Sequence, residues 1–132
     1  MIVHNLEDPV GVDIDETLVF IHGPKMDGDG LILRSYDLIL TDPYGVLGDI
    51  YLTKHKPNIN MIKRGYVRGQ RYFAWTRAGY RWAEAVVKAL DIEYCFEFCM
   101  TKPTKYIDDL PVQEWMTDRS YLDPLKHGWQ ID

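Results

Sequence analysis

A chain of 132 residues that is 46% hydrophobic and 13% aromatic has the size and composition of one packed domain, not of a disordered polypeptide. Its formal net charge of -5 argues against broad, sequence-independent binding to nucleic acid, which draws on basic surfaces. No apolar stretch approaches the roughly 18 residues of a membrane span, and "MIVHNLEDPV" lacks the basic start and apolar run of a signal peptide, so a cytoplasmic protein is expected.

The first element is "PVGVDID" (9–15), an apolar run that reads as a buried strand and stops at Asp13 and Asp15. Residues 21–55 behave differently. Short apolar runs there are broken by the turn sequences "DGDG" and "DPYG", which predicts a β-hairpin or small three-stranded flap leaving the main sheet. A helix is expected through "PNINMIKRGYVRG", with Pro57 in its first turn and Gly69 at its end.

"RYFAWT" (71–76) reads as a second buried strand ending at Thr76. In "RAGYRWAEAVVKALD", Tyr80, Ala83, Val87 and Leu90 recur at helical spacing, and Trp82 and Val86 widen the stripe. The helix leads into a third strand, "IEYCFEFCM" (92–100), completing a βαβ unit. Cys95 and Cys99, about 13 Å apart along a strand, are too distant for a disulfide and read as reduced packing residues. "KYIDD" (105–109) reads as a fourth buried strand, and "PVQEWMTDRSYL" starts a short terminal helix. The whole, residues 1–132, is expected to be a single α/β domain on a doubly wound, mostly parallel sheet, with the first strand central.

In open α/β sheets reactive groups gather at the carboxyl ends of the strands. Here those ends carry Asp13 and Asp15, then Thr76, then Lys102, then Asp108 and Asp109. Four carboxylates in one place repel one another unless a cation compensates them, and a hard divalent ion such as Mg2+ suits oxygen ligands. A lysine and a threonine hydroxyl beside such an ion suit a phosphoryl group.

These residues carry a resemblance. "VGVDIDETLVF" resembles motif I of the haloacid dehalogenase (HAD) superfamily, "YFAWT" its motif II, and "TKPTKYIDDLP" its motifs III and IV, in the family's order over residues 10–111. The resemblance implies a Rossmann-like, HAD-like domain of the small-cap or capless type. It also implies an Mg2+-dependent phosphomonoester hydrolase working through a phosphoaspartate intermediate. Asp13 would be the nucleophile, and Asp15 the general acid and then base, with its carbonyl on the metal. Thr76 would hold a phosphate oxygen and Lys102, in preference to Lys105, would bind the phosphate. Asp108 and Asp109 would complete the metal site with Asp13 and Asp15. Thr17 reads as a residue that shapes the loop.

Two other classes fit parts of the pattern. A phosphorylation-receiver domain also uses acids, a Thr and a Lys, but needs its phosphoacceptor after a later buried strand, where only Asp37, Asp42 and Asp49 are on offer. A HAD-fold protein that only binds metal or phosphate is the other. A flap as small as 21–55 implies an open site, suited to a nucleic-acid end or to a lid borrowed within a homo-oligomer. The acidic charge favours a small phosphate ester, a nucleotide or a sugar phosphate.

Overall fold

The computed structural model describes residues 8–21, 25, 26, 32, 33 and 36–116. In chain order the elements are β1 (Val10–Val12), β2 (Val19–Ile21), β3 (Lys25–Met26), β4 (Ile32–Leu33), β5 (Leu38–Thr41), β6 (Asp49–Lys54) and α1 (Lys56–Val67). There follow β7 (Tyr72–Thr76), α2 (Tyr80–Ala89), a 3-10 turn at Glu93–Cys95, β8 (Phe96–Thr101) and α3 (Val112–Trp115). They build a small α/β protein with a parallel sheet of order β1-β7-β8, an antiparallel sheet of order β2-β6-β5 and a β3-β4 ribbon. Among the described residues no helix is long and apolar enough to cross a membrane.

The βαβ unit forms as the sequence predicts: β7 runs through α2 into the parallel strand β8. Helix α2 buries Trp82, Ala83, Val86 and Val87. Tyr80, expected on that stripe, is instead 44% exposed, because the helix begins at it and turns Trp82 inward. Tyr72, Ala74 and Thr76 of β7 are buried, whereas Phe73 and Trp75 alternate to the other face. There the Phe73 ring stacks on Phe98 with centroids 5.2 Å apart. It also explains Gly11 in β1, where a Cβ would lie only 2.8 Å from Phe73 Cζ.

Helix α1 starts where expected. The His55 side chain caps it by accepting a hydrogen bond from the Asn58 amide at 3.3 Å, and Pro57 occupies the first turn. It ends before Gly69, whose φ of 92° is costly for any residue with a Cβ. The excursion is a three-stranded antiparallel sheet, as one of the two expected forms. Its side chains join the parallel sheet in one core through Val19 and Leu52, both fully buried.

Three expectations need correction. The first strand is not central: among the described residues β1 pairs with β7 alone, so β7 is the middle strand and β1 an edge. The third strand begins at Phe96, because Ile92 is fully buried at the end of the helix and residues 93–95 make a 3-10 turn. The fourth strand is absent. Residues 105–109 are irregular and exposed, and Ile107 is fully exposed, so burial does not drive this segment onto the sheet. The terminal helix spans Val112–Trp115, with Pro111 and Met116 flanking it, and the remainder of its expected span, 117–122, lies outside the described residues.

Candidate active site

After β1 the chain turns back on itself within six residues. The carbonyl of Ile14 accepts hydrogen bonds from the amides of Thr17 at 3.2 Å and Leu18 at 2.9 Å, and Glu16 takes a positive φ of 65°. Ile14 is fully buried, which pins the middle of the turn in the core while Asp13 and Asp15 flank it half-buried. The start of α1 braces this loop from outside: the His55 amide donates to the Leu18 carbonyl at 2.8 Å, and Asn58 Nδ2 donates to the Thr17 carbonyl at 2.8 Å.

Four of the expected residues meet here. The Lys102 ammonium lies 3.9 Å from Asp13 Oδ1, and the two side chains keep 35% and 40% of their surface open to solvent. Lys102 is placed by the last rung of the β7–β8 ladder, where its amide donates to the Thr76 carbonyl at 2.9 Å. Its ammonium also sits 5.4 Å from the centroid of the Trp75 ring. Thr17 Oγ1 makes a long contact of 3.5 Å to Asp13 Oδ2, consistent with a loop-shaping role.

Asp15 is held differently. The indole Nε1 of Trp82 donates to its Oδ1 at 2.8 Å. Burial pushes the Asp15 carboxyl above the usual carboxylate range, and the charge of Asp13 adds to this, while hydrogen bonds from Trp82 and Thr76 act against it. A carboxyl raised in this way can carry a proton to give. The Thr76 hydroxyl is buried and accepts from the Ala78 amide at 3.1 Å. To hold a phosphate oxygen it would have to leave these partners; as it stands, it supports Asp15 and the turn into α2.

Asp108 and Asp109 do not join the cluster. Both are exposed, and Asp108 Oδ1 accepts the Leu110 amide at 3.0 Å, a bond that holds its carboxyl below the usual range. The Tyr106 hydroxyl accepts the Val112 amide at 3.1 Å, and its ring meets Trp115, so the segment packs locally on α3. Among the described residues no three His, Cys, Asp or Glu side chains gather into a group able to hold a metal ion. The chemistry of Asp13 and Asp15, two hard oxygen donors close enough to repel, does fit Mg2+.

The acids a receiver domain would need are committed elsewhere. Asp37 Oδ1 accepts the Lys54 amide, Asp49 Oδ1 accepts the Thr41 hydroxyl, and Asp42 holds the turn between β5 and β6. None stands at the end of a parallel strand.

Trp82, expected from the sequence only as part of its helix's apolar stripe, contributes to the site, as do Asn58 and His55, whose place there the sequence does not show. A signal did exist for Asn58. It lies on the same buried face as Ile59 and Ile62, and a buried amide has to find a partner. Compared with known proteins, the chain matches no family model and no curated protein.

Proposed function

We propose that the chain is a phosphomonoester hydrolase of HAD type, with Asp13 as nucleophile. The observation that carries this reading is the Lys102–Asp13 pair, 3.9 Å apart and open to solvent, beside an Asp15 whose carboxyl is raised by burial. In a surface ion pair alone Asp15 would need no shielded second carboxyl; in phosphoryl transfer each group has a task. Asp13 attacks the phosphorus and the ester oxygen leaves, with Asp15 giving that oxygen a proton. Asp15 then takes a proton from the water that cleaves the phosphoaspartate. Lys102 neutralises charge on the transferring group, and Thr76 keeps Asp15 in place.

Mg2+ would be held by Asp13 and by the carbonyl of Asp15; Asp108 bonds within its own exposed segment, so that segment would have to move for Asp108 or Asp109 to add a ligand. Such an ion would supply positive charge to offset that of the phosphate. The doubly wound, HAD-like form of the fold belongs to this proposal. So does the substrate: a small phosphate ester, favoured by the acidic charge, or a nucleic-acid end admitted by an open site.

The experiment is to measure phosphate release from p-nitrophenyl phosphate, nucleotides, sugar phosphates and phosphorylated oligonucleotides, with Mg2+ and with chelator. Turnover that needs Mg2+ and disappears in Asp13→Asn supports the reading. Equal turnover by Asp13→Asn and wild type overturns it.

A further inference from the structure

We propose that Trp82 is a positioning residue for proton transfer at Asp15, which its indole N–H orients from the first turn of α2. The proposal rests on the reading of Asp15 as general acid and base.

Trp82 is 3% exposed, and its place on the apolar stripe of α2 accounts for the burial of the ring. It does not account for the partner of the N–H. A buried indole has one hydrogen to donate, and any nearby main-chain carbonyl would satisfy it. This one goes instead to a carboxylate oxygen 67 residues away in sequence, at 2.8 Å. The ring is fixed by the helix packing behind it, so it gives Asp15 an anchor that cannot swing with solvent. A flexible donor such as lysine would follow the carboxyl instead of holding it.

The anchor has a direction. An indole can donate but never accept, so Oδ1 remains an acceptor while the contact persists. Within this proposal the proton of the acid form is carried on Oδ2, and the Thr76 hydroxyl, which also bonds the carboxyl but can donate or accept, does not oppose it. From there it passes to the ester oxygen as the phosphorus–oxygen bond breaks, and it is replaced by a proton of the attacking water. A carboxyl free to rotate would offer its proton in the right direction only part of the time, and proximity effects are sensitive to such misplacement. Substrates with poor leaving groups depend on that proton, and those with good leaving groups do not.

The test compares wild type, Trp82→Phe and Asp15→Asn on p-nitrophenyl phosphate and on an alkyl phosphate such as glycerol 2-phosphate. Trp82→Phe keeps most of the ring and removes the N–H. Its kcat/KM on the alkyl ester, which reports the leaving-group step and not the phosphoaspartate hydrolysis common to both esters, should fall roughly 10- to 100-fold, part of the usual general-acid contribution. On p-nitrophenyl phosphate it should fall by less than about threefold, in the same direction as the larger split of Asp15→Asn. Equal losses on both esters in Trp82→Phe, with the split intact in Asp15→Asn, would overturn the role of Trp82 alone. No split in Asp15→Asn would overturn the reading of Asp15, and this proposal with it. Should Trp82→Phe fold poorly, site-specific replacement of Trp82 by 3-benzothienylalanine keeps the ring shape and lacks the N–H. The same split decides the question.

Discussion

The hydroxyl of Tyr44, at the tip of the flap, accepts a hydrogen bond from the main-chain amide of Arg81 at 3.1 Å. The contact joins the turn between β5 and β6 to the first turn of α2, five residues past Thr76. It also fills the space where a side chain at Gly79 would start, and Gly79 has a φ of 103°. The flap is therefore seated on the helix that carries Trp82.

Gly79→Ala should destabilise the protein by about 1–3 kcal/mol, since it adds backbone strain to a clash with the Tyr44 hydroxyl. Tyr44→Ala in the same chain removes the clash and leaves the strain. Denaturant melts of the two single variants and the double variant should thus show recovery of part of the loss. Simple additivity would mean that Tyr44 and Gly79 do not share that space.

Asp42 should give the flap an acid-sensitive step. Its carboxyl accepts the amides of Tyr44, Val46 and Leu47 at 2.9, 3.0 and 2.9 Å, and these bonds hold it below the usual carboxylate range. A group whose pKa is lower folded than unfolded adds stability above its unfolded pKa, about 3.9. That stability is lost as pH falls through the lower, folded value. Asp42→Ala should therefore melt below wild type at pH 7, with the gap closing towards pH 3. A gap that is constant from pH 7 to pH 3 would count against the carboxylate as its cause.

Asn58→Ala should cost about 1–3 kcal/mol, because the Thr17 carbonyl loses its donor in a partly buried place. Turnover should fall as well, since Thr17 and Leu18 close the loop that presents Asp13 and Asp15. Thermal melts beside phosphate-release rates would check both. Lost stability with unchanged turnover would show that the loop keeps its shape without the brace.

Both cysteines should resist alkylation in the native protein. Burial, and then the charge of Glu84, push the Cys99 thiol up to about 11, and burial raises Cys95 as well. Near neutral pH the reactive thiolate is scarce at both. Iodoacetamide at pH 7.5 should label neither within the time that labels both in denaturant, as mass spectrometry would read.

The βαβ unit was legible because Ala83, Val87 and Leu90, widened by Trp82 and Val86, repeat at helical spacing between two apolar runs, although Tyr80, read on the same stripe, turns outward. The meeting of Asp13, Thr76 and Lys102 was legible for a related reason, since parallel strands put their last residues side by side. "KYIDD" misled because Tyr106 and Ile107 have strand propensity, and local pattern says nothing of whether a partner edge will receive them. In place of a ladder, Tyr106 serves Val112 and Asp108 serves Leu110. The Trp82–Asp15 contact spans 67 residues, and no spacing rule reaches that far.

The edge position of β1 sets how the molecule opens. Among the described residues β1 is tied into the parallel sheet on one side only, whereas β7 is tied on both. A fluctuation that frees β1 breaks one ladder; one that frees β7 breaks two and disrupts the core around Ala74. Amide hydrogens of β7 should exchange with solvent most slowly, near the limit of global unfolding, and those of β1 earlier. The strand that leads into Asp13 is thus more easily released than the one that ends at Thr76, and the turn braced by Asn58 helps to keep it in place.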